Sequence, residues 1–185
     1  METGFGESRV SATIVETEAY RGRDDKAAHS YQYRRTPRTE VFFGPAAHAY
    51  VYLCYGIHHM FNVIVGPVGE PNAVLIRAVE PREGLETMLE RRGLAKVERR
   101  LSGGPGLVCQ ALGLDRSHNG LDLLDESSFV RLRGPLGSFS LRQAQGRLTK
   151  QVITSPRVGI AYAEECAAWP WRFRVKDNPY TSPAK

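Results

Sequence analysis

Tyr50-Val51-Tyr52-Leu53-Cys54-Tyr55-Gly56-Ile57-His58-His59-Met60-Phe61-Asn62 reads as a strand, a tight turn and a returning strand. β-branched and aromatic residues crowd both sides of Tyr55-Gly56-Ile57-His58. Residues 48–55 and 60–66 are therefore expected to pair as a hairpin with that tetrapeptide at its tip. A period of two puts Tyr50 and Tyr52 on one face and Tyr55 on the other, or at the turn itself. Aromatic stripes in strands are generally core. An aromatic at a hairpin tip has little core to bury it, so Tyr55 is expected to protrude.

Upstream, residues 12–20 carry the same period. Ala12, Ile14, Glu16, Glu18 and Tyr20 fall on one face and Thr13, Val15, Thr17 and Ala19 on the other. Two glutamates on a strand face are unusual for a core, because an unpaired buried carboxylate is costly; the alternative is a solvated face. An arginine-rich loop with Arg34-Arg35-Thr36-Pro37-Arg38 follows. Downstream, residues 73–79 form a third run with Arg77 on the parity of Ala73, Leu75 and Val79. An arginine among alternating apolar residues calls for a carboxylate partner or a polar site.

Helical spacing then takes over. Leu85, Met88 and Leu89 recur at i, i+3, i+4 within Pro81–Arg92, and a second helix is expected from near Pro105 to Gly113. Phe129–Leu132, Arg157–Ala161 and Arg172–Val175 read as short strands, and the polar stretch 138–150 as a surface loop or insertion. Without a βαβ rhythm, this is an α+β chain: one mixed domain over 1–185, with an antiparallel β-rich core, a protruding hairpin and a few flanking helices.

Composition narrows the class. A length of 185 residues supports one domain with a real core, and the net charge of +5 points weakly to an anionic partner. Of 25 basic residues, 20 are arginine, the side chain that grips phosphate bidentately and stacks on rings; a GC-rich genome would give the same excess. Cys54, Cys109 and Cys166 are few, odd in number and widely spaced, with no long apolar run or signal peptide. That argues for a reducing cytoplasm and against disulfides, structural zinc or a membrane span. His58 and His59 point to opposite strand faces and make a poor metal pair.

Glu16-Thr17-Glu18-Ala19-Tyr20, Ala27-Ala28-His29-Ser30 and Thr36-Pro37-Arg38 form the start of an ordered series. It continues through Tyr50-Val51-Tyr52, Tyr55-Gly56, Asn62, Val74-Leu75-Ile76-Arg77-Ala78, Glu83-Gly84-Leu85-Glu86-Thr87-Met88, Ser102-Gly103, Cys109-Gln110-Ala111-Leu112 and Pro156-Arg157-Val158-Gly159-Ile160. Collinear over roughly residues 11–176, it resembles the alkyladenine (3-methyladenine) DNA glycosylase family. The resemblance implies a monofunctional base-excision repair enzyme without metal or organic cofactor. Such an enzyme binds duplex DNA through the minor groove, flips a damaged purine and hydrolyses its N-glycosidic bond to leave an abasic site.

The motifs carry roles with them. Tyr55 would enter the base stack; Tyr52 would lie on one face of the flipped base, with Tyr20 and His29 on the other. Glu18 would hold and deprotonate the attacking water. Arg77 and the Val158 carbonyl would position that water or the adjacent phosphate. Asn62 would obstruct the exocyclic amine of normal guanine. The resemblance also implies a monomer in the bacterial cytoplasm or nucleoid. Family members carry more sequence ahead of the Glu-x-Tyr strand than the 1–11 segment present here, which suggests a bacterial-type member with a short N-terminus. The Gly137–Gln151 stretch is longer than the family norm, and 177–185 reads as a tail. Three alternatives stay open: a catalytically inactive lesion-binding protein, a truncated inactive fragment, and a nucleoside or RNA hydrolase.

Overall fold

The computed structural model describes residues 1–134 and 152–182; the expected loop 138–150 and the last three residues of the tail lie outside them. The chain runs β1 (Glu2–Thr3), β2 (Val10–Arg21), β3 (Ala49–Cys54), β4 (His58–Val65), β5 (Asn72–Glu83), α1 (Leu85–Arg92), α2 (Pro105–Leu112), β6 (Val130–Arg131), β7 (Val152–Ser155) and β8 (Arg172–Val175), with 3₁₀ turns between. The strands pair antiparallel in the order β3-β4-β5-β2-β1-β6, and β8 pairs with both β2 and β7. This is the α+β class expected from the pattern. Among the described residues no helix is long and apolar enough to cross a membrane.

Alternation along β3 and β4 divides the work of the sheet. Ala49, Val51, Phe61 and Val63 join Met88 of α1 and Val108, Cys109, Ala111 and Leu112 of α2 in the main core. The residues between them, Tyr50 and Ile64, pack instead with Phe42 and Ala73 in a second cluster on the opposite face, where Tyr52 joins them. Helices thus cover one face, and the other is left for a polar, aromatic cleft.

On β2 the expected single face does not hold, and the difference is instructive. Val10, Ala12 and Ile14 face the helices, whereas Glu18 and Tyr20, of the same parity, line the cleft on the other side. The ladder with β5 explains this. Ile14 pairs with Val79, Glu16 with Ala78 and Thr17 with Ile76, so over this stretch each strand slips once, at Val15 on β2 and at Arg77 on β5; a further shift lies between Ser11 and Ala12. A one-residue slip moves every later side chain to the other face, and two opposed slips restore the register. For the same reason Arg77 lines the cleft with Ala73 and Leu75, while Val79, expected beside it, lies in the core.

Two further expectations are corrected. Residues 157–161 are not a strand: Gly159 has φ +76° and the Val158 N–H is given to the Glu18 carboxylate rather than to a ladder; the strand lies earlier, at β7. The first helix begins at Leu85, because residues 81–83 continue β5 opposite β2 and Gly84, at φ +71°, breaks the strand. The expected helix at Pro105 runs as read, with proline at its start and Gly113 at φ +69° closing it. A Cβ on Gly84 would sit 2.6 Å from both the Arg9 carbonyl oxygen and Val10 Cγ1. Gly84→Ala should therefore destabilise the protein by about 1–3 kcal/mol, read as a lower urea midpoint at unchanged slope.

Candidate active site

The register slip brings Glu18 to the floor of a cleft of about 380 Å³. The carboxylate is fully buried. Its Oε1 accepts from the Val158 backbone N–H at 2.8 Å and lies 3.4 Å from Arg77 Nη1; its Oε2 accepts from the Tyr20 hydroxyl at 2.8 Å. A buried carboxylate persists only when donors replace water, and these three do so from two strands and the 157–160 turn. The atom of Val158 in contact with Glu18 is its amide nitrogen.

Glu16, two residues upstream, is buried beside it and more heavily ligated. Oε1 accepts from Arg77 Nε at 2.9 Å and from Arg172 Nε at 2.8 Å, and Oε2 accepts from the Ser182 backbone N–H at 2.8 Å. Burial alone would raise its pKa, but the Ser182 amide and the Arg77 and Arg172 guanidiniums outweigh burial and hold it below the usual carboxylate value. The sequence reading found Glu16 and Arg77 but neither Arg172 nor Ser182. The Arg-x-Arg alternation in β8 is a signal for Arg172; nothing local marks Ser182.

Aromatic rings wall the cleft. Burial and the neighbouring Glu18 push the Tyr20 phenol well above its ordinary pKa, so its proton stays on and is donated to the carboxylate. Over the Tyr20 ring, at 4.7 Å, lies the guanidinium of Arg157, which forms a fully buried pair with Asp25. Tyr52 stacks on Tyr50 at 5.3 Å between centroids, with the Arg38 guanidinium 4.8 Å from its ring centre. The Tyr50 hydroxyl accepts from Arg38 Nε at 3.1 Å and lies 2.9 Å from His29 Nδ1. Burial, helped by Arg38, lowers the His29 pKa to about 4, so its imidazole is neutral at pH 7.

One arrangement differs from what the motifs imply. His29 packs edge-on against Tyr52, with centroids 4.7 Å apart and ring planes at 77°. A planar base stacked between two parallel rings needs roughly 7 Å between their planes, twice the carbon contact distance. No such slot exists between these two rings, so a base stacked on Tyr52 requires His29 to move. Asn62 is buried at the cleft, its Nδ2 donating to the Tyr50 carbonyl at 3.2 Å.

The hairpin tip stands outside all of this. Tyr55 is 90% exposed at φ +51°, followed by Gly56 at φ +74°, and the Ile57 N–H donates to the Cys54 carbonyl at 3.1 Å. Positive φ at both central positions marks a type I′ turn, where asparagine or glycine is usual. Tyrosine there costs about 1–2 kcal/mol. Strain of this kind clusters at functional sites. Tyr162, 67% exposed, also lines the cleft and was missed from sequence. Among the described residues no group of three or more histidine, cysteine or acidic side chains could hold a metal ion.

Residues 2–179 match the methylpurine-DNA glycosylase family model. A protein of Desulfitobacterium hafniense, named "Putative 3-methyladenine DNA glycosylase", is 45% identical over 181 residues, covering 94% of this chain and 83% of its own length. Proteins of the same name from Bacillus cytotoxicus and Bacillus mycoides are 46% and 45% identical over 177 residues, each covering 93% of this chain and 83% of their own length.

The His29 environment has a measurable consequence. Its folded pKa lies below the ordinary 6.5, so between the two values the unfolded chain binds a proton that the folded chain refuses. This contribution is complete above about pH 6.5, is lost as pH falls towards about 4, and changes no further below. From pH 7 to pH 5, wild type should lose about 1–2 kcal/mol more stability in urea unfolding than His29→Gln.

Proposed function

The chain belongs to the methylpurine-DNA glycosylase family, and from that premise we propose that it excises alkylated or deaminated purines from duplex DNA by hydrolysis. The observation that carries the reading is a buried carboxylate, Glu18, at the base of an aromatic cleft whose mouth is flanked by an exposed, strained Tyr55.

The chemistry follows from these parts. Tyr55 enters the stack from the minor-groove side as the damaged nucleotide leaves it, filling the gap; extrusion costs a few kcal/mol, least for a damaged base. The base then lies against Tyr52, with Tyr20 across the cleft and His29 displaced from the Tyr52 ring. A purine alkylated at N3 or N7 is cationic, and each aromatic face attracts it by about 0.5–2 kcal/mol over a neutral base. A neutral His29 adds no opposing charge. Asn62, which is pinned to the Tyr50 carbonyl and lines the cleft, would obstruct the exocyclic amine of guanine.

As the glycosidic bond breaks, its electrons leave with the purine and the sugar becomes oxocarbenium-like. Glu18 stabilises that cation and takes a proton from the water that adds to the anomeric carbon; Arg77 steadies the water or the adjacent phosphate. The products are free base and an abasic site. Among the described residues no lysine lines the cleft, and Lys26, outside it, is held at 2.5 Å by Glu164 and 2.9 Å by Glu165, which raise its pKa and disfavour it as an amine nucleophile. The protein acts as a monomer in the bacterial cytoplasm.

The test is base release from duplex oligonucleotides carrying hypoxanthine or ethenoadenine, and from alkylated DNA, under single turnover. Glu18→Gln should bind lesion DNA yet release base 10²–10⁴-fold more slowly, in the range of general-base catalysis. Binding by wild type without release would make the protein a lesion sensor. A borohydride-trapped enzyme–DNA adduct would refute simple hydrolysis. Tyr55→Asn should separate strain from function: asparagine accepts the left-handed turn, so stability should rise by about 0.5–1 kcal/mol. Base release should nevertheless fall, because the wedge is gone.

A further inference from the structure

Two carboxylates on one strand, Glu16 and Glu18, share a single guanidinium. Arg77 gives its Nε to Glu16 at 2.9 Å, while its Nη1 stands 3.4 Å from Glu18, beyond an ordinary charge-assisted hydrogen bond. All three side chains are nearly or fully buried. In such surroundings an arginine free to choose would close on Glu18 with two parallel bonds, the strongest geometry open to it. It does not, because Glu16 holds its Nε. We propose that Glu16 is a positioning residue that keeps Arg77 from closing on Glu18, leaving the reacting carboxylate to the Tyr20 hydroxyl and the Val158 N–H.

The surroundings of each carboxylate support this division. Glu16 is met by Arg172 and the Ser182 N–H, with Arg174 opposite it on β8, so its charge stays compensated while it restrains Arg77. Glu18 faces Arg77 from β5, the Tyr20 hydroxyl on its own strand and the Val158 N–H, with Arg157 behind the Tyr20 ring. Two neutral donors thus hold the reacting carboxylate beside the restrained Arg77, with Arg172 opposite it in register on β8. The arrangement depends on tertiary structure: Ser182 belongs to the segment after β8, and its hydroxyl also donates to Glu16 at 3.1 Å.

Removing the Glu16 charge frees Arg77 to close on Glu18 with direct hydrogen bonds, and a guanidinium bonded to a carboxylate favours the ionised form. The inference rests on the glycosylase reading, so wild type and Glu16→Gln are compared in single-turnover base release across pH. Lesion-DNA affinity and thermal melts are measured alongside. Release should slow by about tenfold, with the half-maximal point on the acid side moving to lower pH and affinity unchanged. Glu16→Asp, which keeps the charge but shortens the reach, should show a smaller loss and serves if Glu16→Gln does not fold. An unmoved pH profile in the folded variants, or a loss that follows affinity or melting alone, overturns the proposal. If wild type releases no base, the glycosylase reading fails, and a crystal structure of Glu16→Gln decides this inference separately. An Arg77–Glu18 separation that shortens to a direct bond supports it, and an unchanged one refutes it.

Discussion

The site depends on paired register slips in the β2–β5 ladder. Up to Ile14, β2 turns its even-numbered side chains into the hydrocarbon core under the helices; beyond Val15 it turns them into the cleft. Without the slip at Val15, Glu18 would be directed among Val10, Ala12 and the α2 side chains, where a carboxylate has no donors. The opposed slip at Arg77 restores the pairing and carries the guanidinium to the same side as the glutamates. The paired slips thus deliver carboxylate, cation and aromatic wall together.

Charge at the centre is satisfied by geometry rather than by water. Glu16, Glu18 and Asp25 are buried, and Arg77, Arg157 and Arg172 supply most of their opposite charge. A buried ion pair is weak evidence for stability, since desolvation offsets much of the attraction. Its value here is placement. The Asp25–Arg157 pair fixes the turn that presents the Val158 N–H to Glu18, and the same guanidinium supports the Tyr20 ring.

Within the cleft, His29 packs edge-on against Tyr52. An edge-on aromatic contact is worth about 0.5–1.5 kcal/mol beyond its buried area, less than a flipped base stacked on the same tyrosine would return. Opening the slot is thus within reach of the ligand's own binding energy, and His29 has a polar partner, Tyr50, on which to turn.

The hairpin around Tyr55-Gly56 and the helix between Pro105 and Gly113 were legible in the chain itself, because turn residues and apolar spacing act over a few neighbours. Glu16, Glu18 and Arg77 stood out as residues too polar for an unpaired strand core, whereas Tyr20 and Tyr52 were marked only by the family resemblance. The common face read for Ala12 through Tyr20 was not real, since a bulge is set by the partner strand and leaves no mark in a period of two. Nor could the strand expected at residues 157–161 form once the Val158 N–H was given to Glu18, 140 positions away, and Gly159 took φ +76°. Sequence alone determined the alternation, the turns and the chemical groups on offer. Only the folded chain decided which carboxylate receives two arginines and the Ser182 amide and which keeps the lighter set of donors. That choice depends on groups from three distant segments meeting at distances of 3 Å or less, which no local pattern encodes.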